Sequence, residues 1–498
     1  MNFNSWQFLV FLPVVLILYY LLPHKFRWVL LLTASYYFYM SWNPTLIFLI
    51  VGTTLISYLA GLLMEKTEKK APRKFLLICT LIICIGVLIF FKYFDFLMQN
   101  VTAFLRLFTL DLNWTALNLI LPIGISFYTF QTLSYVIDVY KGKFKAEKHL
   151  GYYALFVSFF PQLVAGPIER PGDLIPQLRA EHKLNADDLF CGFRILLVGF
   201  FYKCVVADFL AIYVNNVFSN VGEANALSVF LGGFLFTTQM YCDFAGYSEI
   251  ATGAARMMGI RLSRNFDRPY MSTSYSDFFR RWHITLTRWF TEYVYIPLGG
   301  NRKGIARRIL NTFIVFLLCG LWHGANWTYV LWGLYAAFFL NLETLLKKPF
   351  AALRKKWGEP KNPALLHAGK VIGMYFILIP AAIIFRAENV GHAGQLLGKL
   401  FTGFGFGASY FESAMQNLGV NAPILIQLVL CMACEVILWH FAEVGRDQPE
   451  PPLPLDGQGN SLVARRAIVS VYLVLAVALC WIALASSGDV SAFQYFQF

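Results

Sequence analysis

Two of the eight histidines lie in apolar sequence, where an imidazole can do acid–base chemistry. His323 stands in Leu321-Trp-His-Gly-Ala-Asn-Trp327, at the centre of an apolar region that small and polar residues interrupt. A neutral imidazole shielded from bulk water can take a proton from a hydroxyl group. The alternative is a core histidine that bonds to a backbone carbonyl, and the residue alone does not separate the two.

His283 lies in a second segment with chemical potential, which runs from Ser274 to Phe290. Ser274 and Asp277 have the spacing of a capping box, which predicts that a helix begins there. Within one continuous helix, His283, Leu286 and Phe290 would share an apolar face. The sequence therefore predicts that the imidazole of His283 turns inward.

Most of the positive charge of the chain falls within residues 256–308. This stretch has 11 basic and 3 acidic residues, a net +8 in a chain whose total is +13. Arg280, Arg281 and Arg288, together with Trp282, are candidates to bind a polyanionic ligand such as a nucleotide-bearing thioester, whose phosphates the arginines would neutralise. A basic interfacial helix that binds anionic lipid headgroups explains the charge equally well.

The last six residues are aromatic at four positions, in the order Phe493-Gln-Tyr495-Phe-Gln-Phe498. Chain termini are usually polar and frayed, so this composition is unusual. It suits insertion into an apolar groove, which would deliver the Tyr495 hydroxyl to a fixed place. The alternative is an aromatic anchor at a membrane interface.

The composition indicates which kind of element positions these residues. Of the 498 residues, 58% are hydrophobic and 14% are charged, whereas soluble domains carry about 25% charged residues. This excludes a water-soluble enzyme, a disordered protein and a coiled coil, and it predicts an all-α polytopic membrane protein. The positive charge then reports topology and contact with membrane lipids, not nucleic acid. Among the nine cysteines, Cys431 and Cys434 have Cys-x-x-Cys spacing, but no second pair matches it. Neither disulfides nor a metal site is therefore expected.

Ten apolar runs have roughly the length that a membrane-spanning helix needs. They are residues 5–22, 26–42, 44–64, 75–92, 116–140, 188–215, 226–255, 367–386, 422–442 and 465–486. Two further regions, 149–170 and 309–341, are apolar but interrupted. Prolines and glycines in the first of these predict a re-entrant segment, and the second is too short for two ordinary spans.

Loops rich in lysine and arginine fix the orientation of these spans. Residues 66–74, 141–148, 256–308 and 347–361 should all be cytoplasmic, and counting spans from them places the C-terminus outside. The chain is then one membrane-embedded domain, 1–498, with three notable parts. These are a cytoplasmic-face basic helical segment at 256–308, a broken helix bearing His323, the candidate catalytic histidine, at 309–341, and an extracytoplasmic aromatic tail at 487–498.

Three stretches resemble the membrane-bound O-acyltransferases, and within them the bacterial branch of alginate O-acetyltransferase. They are Val164–Arg170, Ser276–Gly300 and Trp322–Gly324, and the likeness covers nearly the whole chain. The resemblance implies a ring of about 11 transmembrane helices, with re-entrant and broken helices around a central tunnel. It also implies that His323 is the central catalytic histidine and His283 the second one. The tail is similar to the end of a small companion peptide of the D-alanyl transfer system.

The hypothesis from this resemblance is an acyl relay across the bacterial cytoplasmic (inner) membrane. His323 would remove the proton of Tyr495, whose oxygen would attack an acetyl thioester, acetyl-CoA being the expected donor. His283 and the nearby arginines would hold or polarise the donor, and no tightly bound cofactor is expected. The acetyl group would pass to an extracytoplasmic esterase-like (SGNH) partner for O-acetylation of a cell-surface polysaccharide such as alginate.

Three alternatives remain open at this point. The first is D-alanyl transfer from a carrier protein to teichoic acid. The second is a transporter or flippase with a histidine proton relay, which predicts inverted repeats that the sequence does not show. The third is a structural scaffold for a polymer synthase, in which His323→Ala keeps full activity.

Overall fold

The computed structural model of the chain describes residues 1–110, 112–357 and 362–443. All regular structure in these ranges is helical, and no strand occurs within them. The described chain falls into two units. One comprises Met1–Leu196 and Ser248–Ser263, and the other Leu197–Tyr247 and the residues from Arg264 onward. The predicted span 465–486, the tail 487–498 and Tyr495 lie outside the described residues.

The first unit is formed by the N-terminal helices. They are α1 (Trp6–Leu21), α2 (His24–Met40), α3 (Ile47–Lys66), α4 (Lys70–Arg106), α5 (Ile125–Tyr140), α6 (Leu150–Ser158), α7 (Pro171–Arg179) and the start of α8 (Ala186–Phe200). The end of a later helix, α10, also belongs to this unit.

The second unit contains both candidate catalytic histidines, His283 and His323. A π-helical turn at Phe201–Ala207 joins α8 to α9 (Asp208–Ser219), and α10 (Ala226–Met257) follows. Two short helices come next, α11 (Tyr275–Arg281) and α12 (Ile284–Phe290). The remaining helices are α13 (Gly304–His323), α14 (Trp327–Trp357), α15 (Pro363–Arg386), α16 (Val390–Lys399), α17 (Ala408–Leu418) and α18 (Ala422–Glu443).

Six helical stretches of the described chain are long and apolar enough to cross a membrane. They are Pro44–Lys66, Lys70–Arg106, Ala186–Ser219, Gly304–His323, Trp327–Ala352 and Pro363–Arg386. A seventh candidate is the pair Ala408–Leu418 and Ala422–Ala433, which bends by 69° at its break. The helix Trp6–Leu21 is apolar but shorter. The expectation of a polytopic all-α membrane protein is confirmed at this level.

The predicted span at 116–140 is wrong in its first half, because α5 begins only at Ile125. Pro122 and Gly124 precede the helix, and Gly124 has a φ of +74° in the left-handed region. A Cβ built on Gly124 would lie 2.7 Å from the carbonyl oxygen of Leu163. Glycine therefore meets two needs here, a left-handed backbone and a close approach of another chain segment.

The region 149–170 is broken as its prolines and glycines predict. Helix α6 ends at Ser158, and α7 begins with Pro171 at its first turn. The intervening chain has no regular helix, and its side chains are buried from Phe159 to Glu169. Irregular backbone of this kind is stable at depth only when protein covers it.

The prediction that 309–341 is too short for two spans is wrong. Helix α13 begins at Gly304 and α14 continues to Trp357, so both extend beyond the apolar window into the basic flanks. Long basic side chains permit this, since their charge stays at the interface while the stem follows the helix. The predicted break itself is present, and it comes directly after His323.

Candidate active site

His323 is the last residue of α13, and its imidazole is 9% exposed within a cluster of aromatic rings. The ring centroids of Trp322, Trp332 and Phe385 lie 5.0, 5.1 and 5.1 Å from that of His323. A Cβ on Gly324 would stand 2.2 Å from a ring carbon of Tyr329. Glycine at this position therefore lets the Tyr329 ring of α14 pack closely against the backbone just after His323.

His283 does not lie within a continuous helix, so that prediction is wrong. Ser274 caps α11 as predicted and accepts a hydrogen bond from the Asp277 N–H at 3.2 Å. The helix ends at Arg281, and His283 has a φ of +43° in the left-handed region before α12 begins. The imidazole is nevertheless 2% exposed. The inward direction was predicted correctly, although the helical reason given for it was not.

Asn265, from the extended segment before α11, holds His283 in this conformation. Its backbone carbonyl accepts a hydrogen bond from the Ile284 N–H at 2.8 Å. Its side-chain Oδ1 lies 3.1 Å from His283 Nδ1 and accepts a hydrogen bond from the Thr285 hydroxyl at 2.8 Å. Sequence reasoning missed Asn265, because the 18 residues that separate it from His283 carry no periodic signal that would pair them.

Burial keeps His283 uncharged. Removal from water lowers the pKa of His283 well below its usual value of 6.5, and the neighbouring His323 lowers it further. The rings of Phe244 and Trp322, with centroids at 4.7 and 5.9 Å, are the apolar surroundings responsible. A neutral imidazole has a nitrogen lone pair that can accept a proton or a hydrogen bond.

The two histidines line the same cavity, which has a volume of about 230 Å³. Its wall is mostly aromatic and aliphatic, with scattered hydroxyl groups and one arginine. Both histidines also line a second, smaller space of about 50 Å³ beside Tyr270 and Phe244. The larger cavity is also lined by Ser276, Phe279, Trp282, Leu286, Thr287, Phe290, Thr291, Tyr295, Arg308, Thr312, Val315, Phe316, Cys319, Trp332, Leu340 and Thr344.

The four residues predicted to bind the donor do not all line the cavity. Trp282 lines the cavity, whereas Arg280, Arg281 and Arg288 are absent from the lining residues described. Arg280 and Arg281 pair with Asp277 at 3.9 and 3.1 Å. Arg288 pairs with an acidic residue one turn later in its own segment. Their role in donor binding stays a prediction.

Arg308 is the arginine that lines the cavity, although the sequence did not single it out from the other basic residues. It lies in the first turns of α13 and donates a hydrogen bond from Nη2 to Thr344 Oγ1 at 3.1 Å. The sequence signal that could have predicted this cavity-lining position is the spacing between Arg308 and His323 along one helix. Four helical turns separate the two residues, so Arg308 marks the opposite end of the same wall.

Comparison with known proteins agrees with this geometry. The MBOAT, membrane-bound O-acyltransferase family profile matches residues 147–362. The chain is 35% identical over its full length, and that of the relative, to "Probable alginate O-acetylase AlgI" of Pseudomonas putida. It is 34% identical to "Peptidoglycan O-acetyltransferase" of Helicobacter pylori, over 79% of each chain. A more distant relative is "Teichoic acid D-alanyltransferase" of Bacillus subtilis, 30% identical over 46% of this chain and 61% of the relative.

The family match includes both histidines and the cavity between α11 and α14. The alignment with the Pseudomonas putida relative covers the whole of both chains. The resemblance inferred from the motifs is thereby confirmed. The chain belongs to the membrane-bound O-acyltransferase family, in the branch of the bacterial alginate O-acetylases, and it is a multi-pass membrane enzyme that transfers acyl groups.

Proposed function

We propose that this enzyme moves an acetyl group from a cytoplasmic thioester to a hydroxyl group delivered to His323. The observation that carries the proposal is the position of two buried imidazoles, from separate elements, in one cavity of about 230 Å³. That volume is below the range of about 300–1,000 Å³ that is usual for a small-molecule site. It suits the reactive end of a thioester with a short acyl group better than a long acyl chain.

The proposed reaction is a single acyl transfer with balanced protons. His323 takes the proton of the attacking hydroxyl, and the oxygen forms a bond to the thioester carbonyl carbon. The carbon–sulfur bond then breaks, and the departing thiolate takes the proton from the imidazolium. The ring of aromatic side chains around His323 excludes water, which disfavours hydrolysis of the thioester.

The donor enters from the end of the cavity where Arg308 lies. Its guanidinium would bind a phosphate of the donor, as arginine side chains commonly do. The net charge of +8 carried by residues 256–308 would add a screened attractive field for a polyanionic donor. In the proposal, the basic residues of this segment include Arg280, Arg281 and Arg288. Trp282 and His283 would hold the thioester arm of the donor.

The attacking hydroxyl in the proposal is that of Tyr495, delivered by the aromatic tail at 487–498. An acetylated tyrosine facing outward would then pass its group to an extracytoplasmic esterase-like partner. The architecture that this requires is a ring of about 11 helices around a tunnel in the bacterial cytoplasmic (inner) membrane, with the C-terminus outside. The basic segment 256–308 would lie at the cytoplasmic face, and 309–341 would carry His323 to the centre.

The final acceptor is proposed to be a polysaccharide outside the cell. Two kinds of relative that match most of the chain support this, since their names specify alginate and peptidoglycan acetylation. The alternative of D-alanyl transfer has less support, because the D-alanyltransferase relatives match less than half of this chain. Purified enzyme given acetyl-CoA in one assay and a D-alanyl carrier protein in another would separate the two donors.

The experiment that tests the tyrosine relay is transfer of radiolabelled acetyl across the membrane of inverted vesicles. Tyr495→Phe removes one hydroxyl, so label should no longer leave the cytoplasmic side. Phe493→Tyr is the matched control, because it adds a hydroxyl two residues away and should leave transfer intact. Unchanged transfer by Tyr495→Phe would remove Tyr495 from the mechanism.

A further inference from the structure

The contact between Asn265 and His283 determines which ring nitrogen of His283 carries the proton. Asn265 Oδ1 lies 3.1 Å from His283 Nδ1 and 2.8 Å from Thr285 Oγ1. All three residues are buried, with at most 5% of each exposed. An amide oxygen only accepts hydrogen bonds. The hydroxyl of Thr285 and the Nδ1 of His283 must therefore both donate to it.

The backbone around this contact is fixed from both sides. The Ile284 N–H donates to the Asn265 carbonyl at 2.8 Å, and the Asp267 N–H donates to the Arg281 carbonyl at 2.9 Å. These two bonds lie on either side of His283, which has a φ of +43°. A left-handed conformation is unfavourable for histidine and persists only where its surroundings impose it. The segment that carries Asn265 supplies that constraint.

We propose that Asn265 is a positioning residue that holds His283 as the Nδ1–H tautomer, in which the ring lone pair is on Nε2. His283 is then a hydrogen-bond acceptor for the thioester donor or for the His323 imidazolium. It cannot serve as a hydrogen-bond donor to the oxyanion of the tetrahedral intermediate. This inference rests on the proposed function for the identity of the reaction, but the tautomer itself does not depend on it.

Burial and neighbouring rings support the neutral form that the tautomer requires. Phe244 packs edge-on against the imidazole with a centroid distance of 4.7 Å, and Phe266 lies at 6.5 Å. The neighbouring charged side chains form ion pairs with each other, Arg281 with Asp277 and Arg264 with Asp267. Their charges are therefore partly cancelled, which leaves the neutral form of His283 favoured.

The direct test is solid-state NMR of full-length enzyme labelled with [¹⁵N]histidine in lipid bilayers, without a donor. The His283 signal is identified by its loss in His283→Asn, a substitution that tolerates the left-handed backbone. The wild-type spectrum should show a protonated Nδ1 and an unprotonated Nε2. A protonated Nε2 would mean that the amide NH₂ of Asn265 faces the ring, and it would overturn the proposal.

Variants then separate a positioning role from a purely structural one. Asn265→Leu should yield a mixture of tautomers and lower kcat about 100-fold. Asn265→Asp keeps an acceptor oxygen, so it should restore the single tautomer and much of kcat. Thr285→Val is the control, since it removes the second hydrogen bond and leaves the contact with His283.

The outcomes also separate this inference from the proposed function. If Asn265→Leu keeps the single Nδ1–H tautomer, or if Asn265→Asp loses it, the positioning role is wrong whatever reaction the enzyme performs. If the tautomer behaves as expected while acetyl-CoA is not a substrate, the proposed donor is wrong and the positioning role stands. A folding defect in Asn265→Leu leaves the wild-type spectrum and Asn265→Asp to decide.

Discussion

Gly320 of α13 and Gly333 of α14 bring two helix backbones into direct contact. A Cβ on Gly320 would lie 2.2 Å from the carbonyl oxygen of Tyr329, and one on Gly333 would lie 2.3 Å from that of Phe316. Small residues permit this close approach between helices in a membrane, where packing contributes much of the association energy. His323 follows Gly320 by about one helical turn, so this crossing fixes where the imidazole lies.

We expect Gly320→Ala to separate these helices and to displace His323. Overpacking of this kind costs about 1–3 kcal/mol, and acetyl transfer should fall together with the thermal stability. The matched control is Gly373→Ala on α15, where nothing lies within 4 Å of the added Cβ. Thermal unfolding in detergent measures both, and equal unfolding temperatures for the two variants would contradict the role of the crossing.

Removal of Lys203 should destabilise the enzyme strongly. Lys203 is 1% exposed, and its Nζ lies 2.8 Å from both Asp208 and Asp243. Lys203→Met would leave two acidic groups without their cation, and breaking a buried pair costs about 3–5 kcal/mol. The double variant Lys203→Met/Asp243→Asn should recover part of that loss. A Lys203→Met protein as stable as the wild type by thermal unfolding would refute this prediction.

The stability of the fold should fall in mild acid because of His283. Its pKa lies well below 6.5 in the folded enzyme, so an unfolded chain binds a proton that the folded one does not. The stability that depends on neutral His283 is fully present above the pKa of this histidine in the unfolded chain. It is lost as the pH falls below that pKa. Between about pH 7.5 and about pH 5.5, wild type should therefore lose more stability than His283→Asn. Parallel losses in calorimetry would show that another group dominates.

Arg308 should contribute to donor affinity more than to turnover. Loss of a charge-assisted hydrogen bond to a phosphate costs about 1.5–3 kcal/mol, so Arg308→Gln should raise the KM for acetyl-CoA at least about tenfold. Its effect on kcat should be small, because the guanidinium is remote from His323. The exposed Arg302, which is not among the cavity-lining residues described, provides the control. Equal KM values for Arg308→Gln and Arg302→Gln would exclude a donor contact.

The sequence predicted the features of the site that depend on local patterns. The small and polar residues after His323 predicted a break in the helix, and α13 ends there. The Ser274 cap was likewise predicted from the spacing of two residues. Such features are encoded within a single turn, and no distant contact is needed to produce them.

The errors arose where distant contacts determine the backbone. A left-handed conformation at His283 depends on pairing with Asn265, and no local propensity favours it. Gly124 ends the irregular chain before α5 because Leu163 passes beside it. The two helices around His323, each long and apolar enough to cross a membrane, were missed because an apolar window excludes helical turns that carry basic residues.

The most direct measurement is the rate of labelled acetyl transfer from acetyl-CoA by His323→Gln in reconstituted vesicles. His367→Gln, which changes an exposed histidine in the first turns of α15 that is not among the cavity-lining residues described, is the control for folding and insertion. If His323 is the proton acceptor, its variant should be slower by about 10²–10⁴-fold while the control keeps the wild-type rate. A His323→Gln enzyme that transfers acetyl at the wild-type rate would contradict the proposed mechanism.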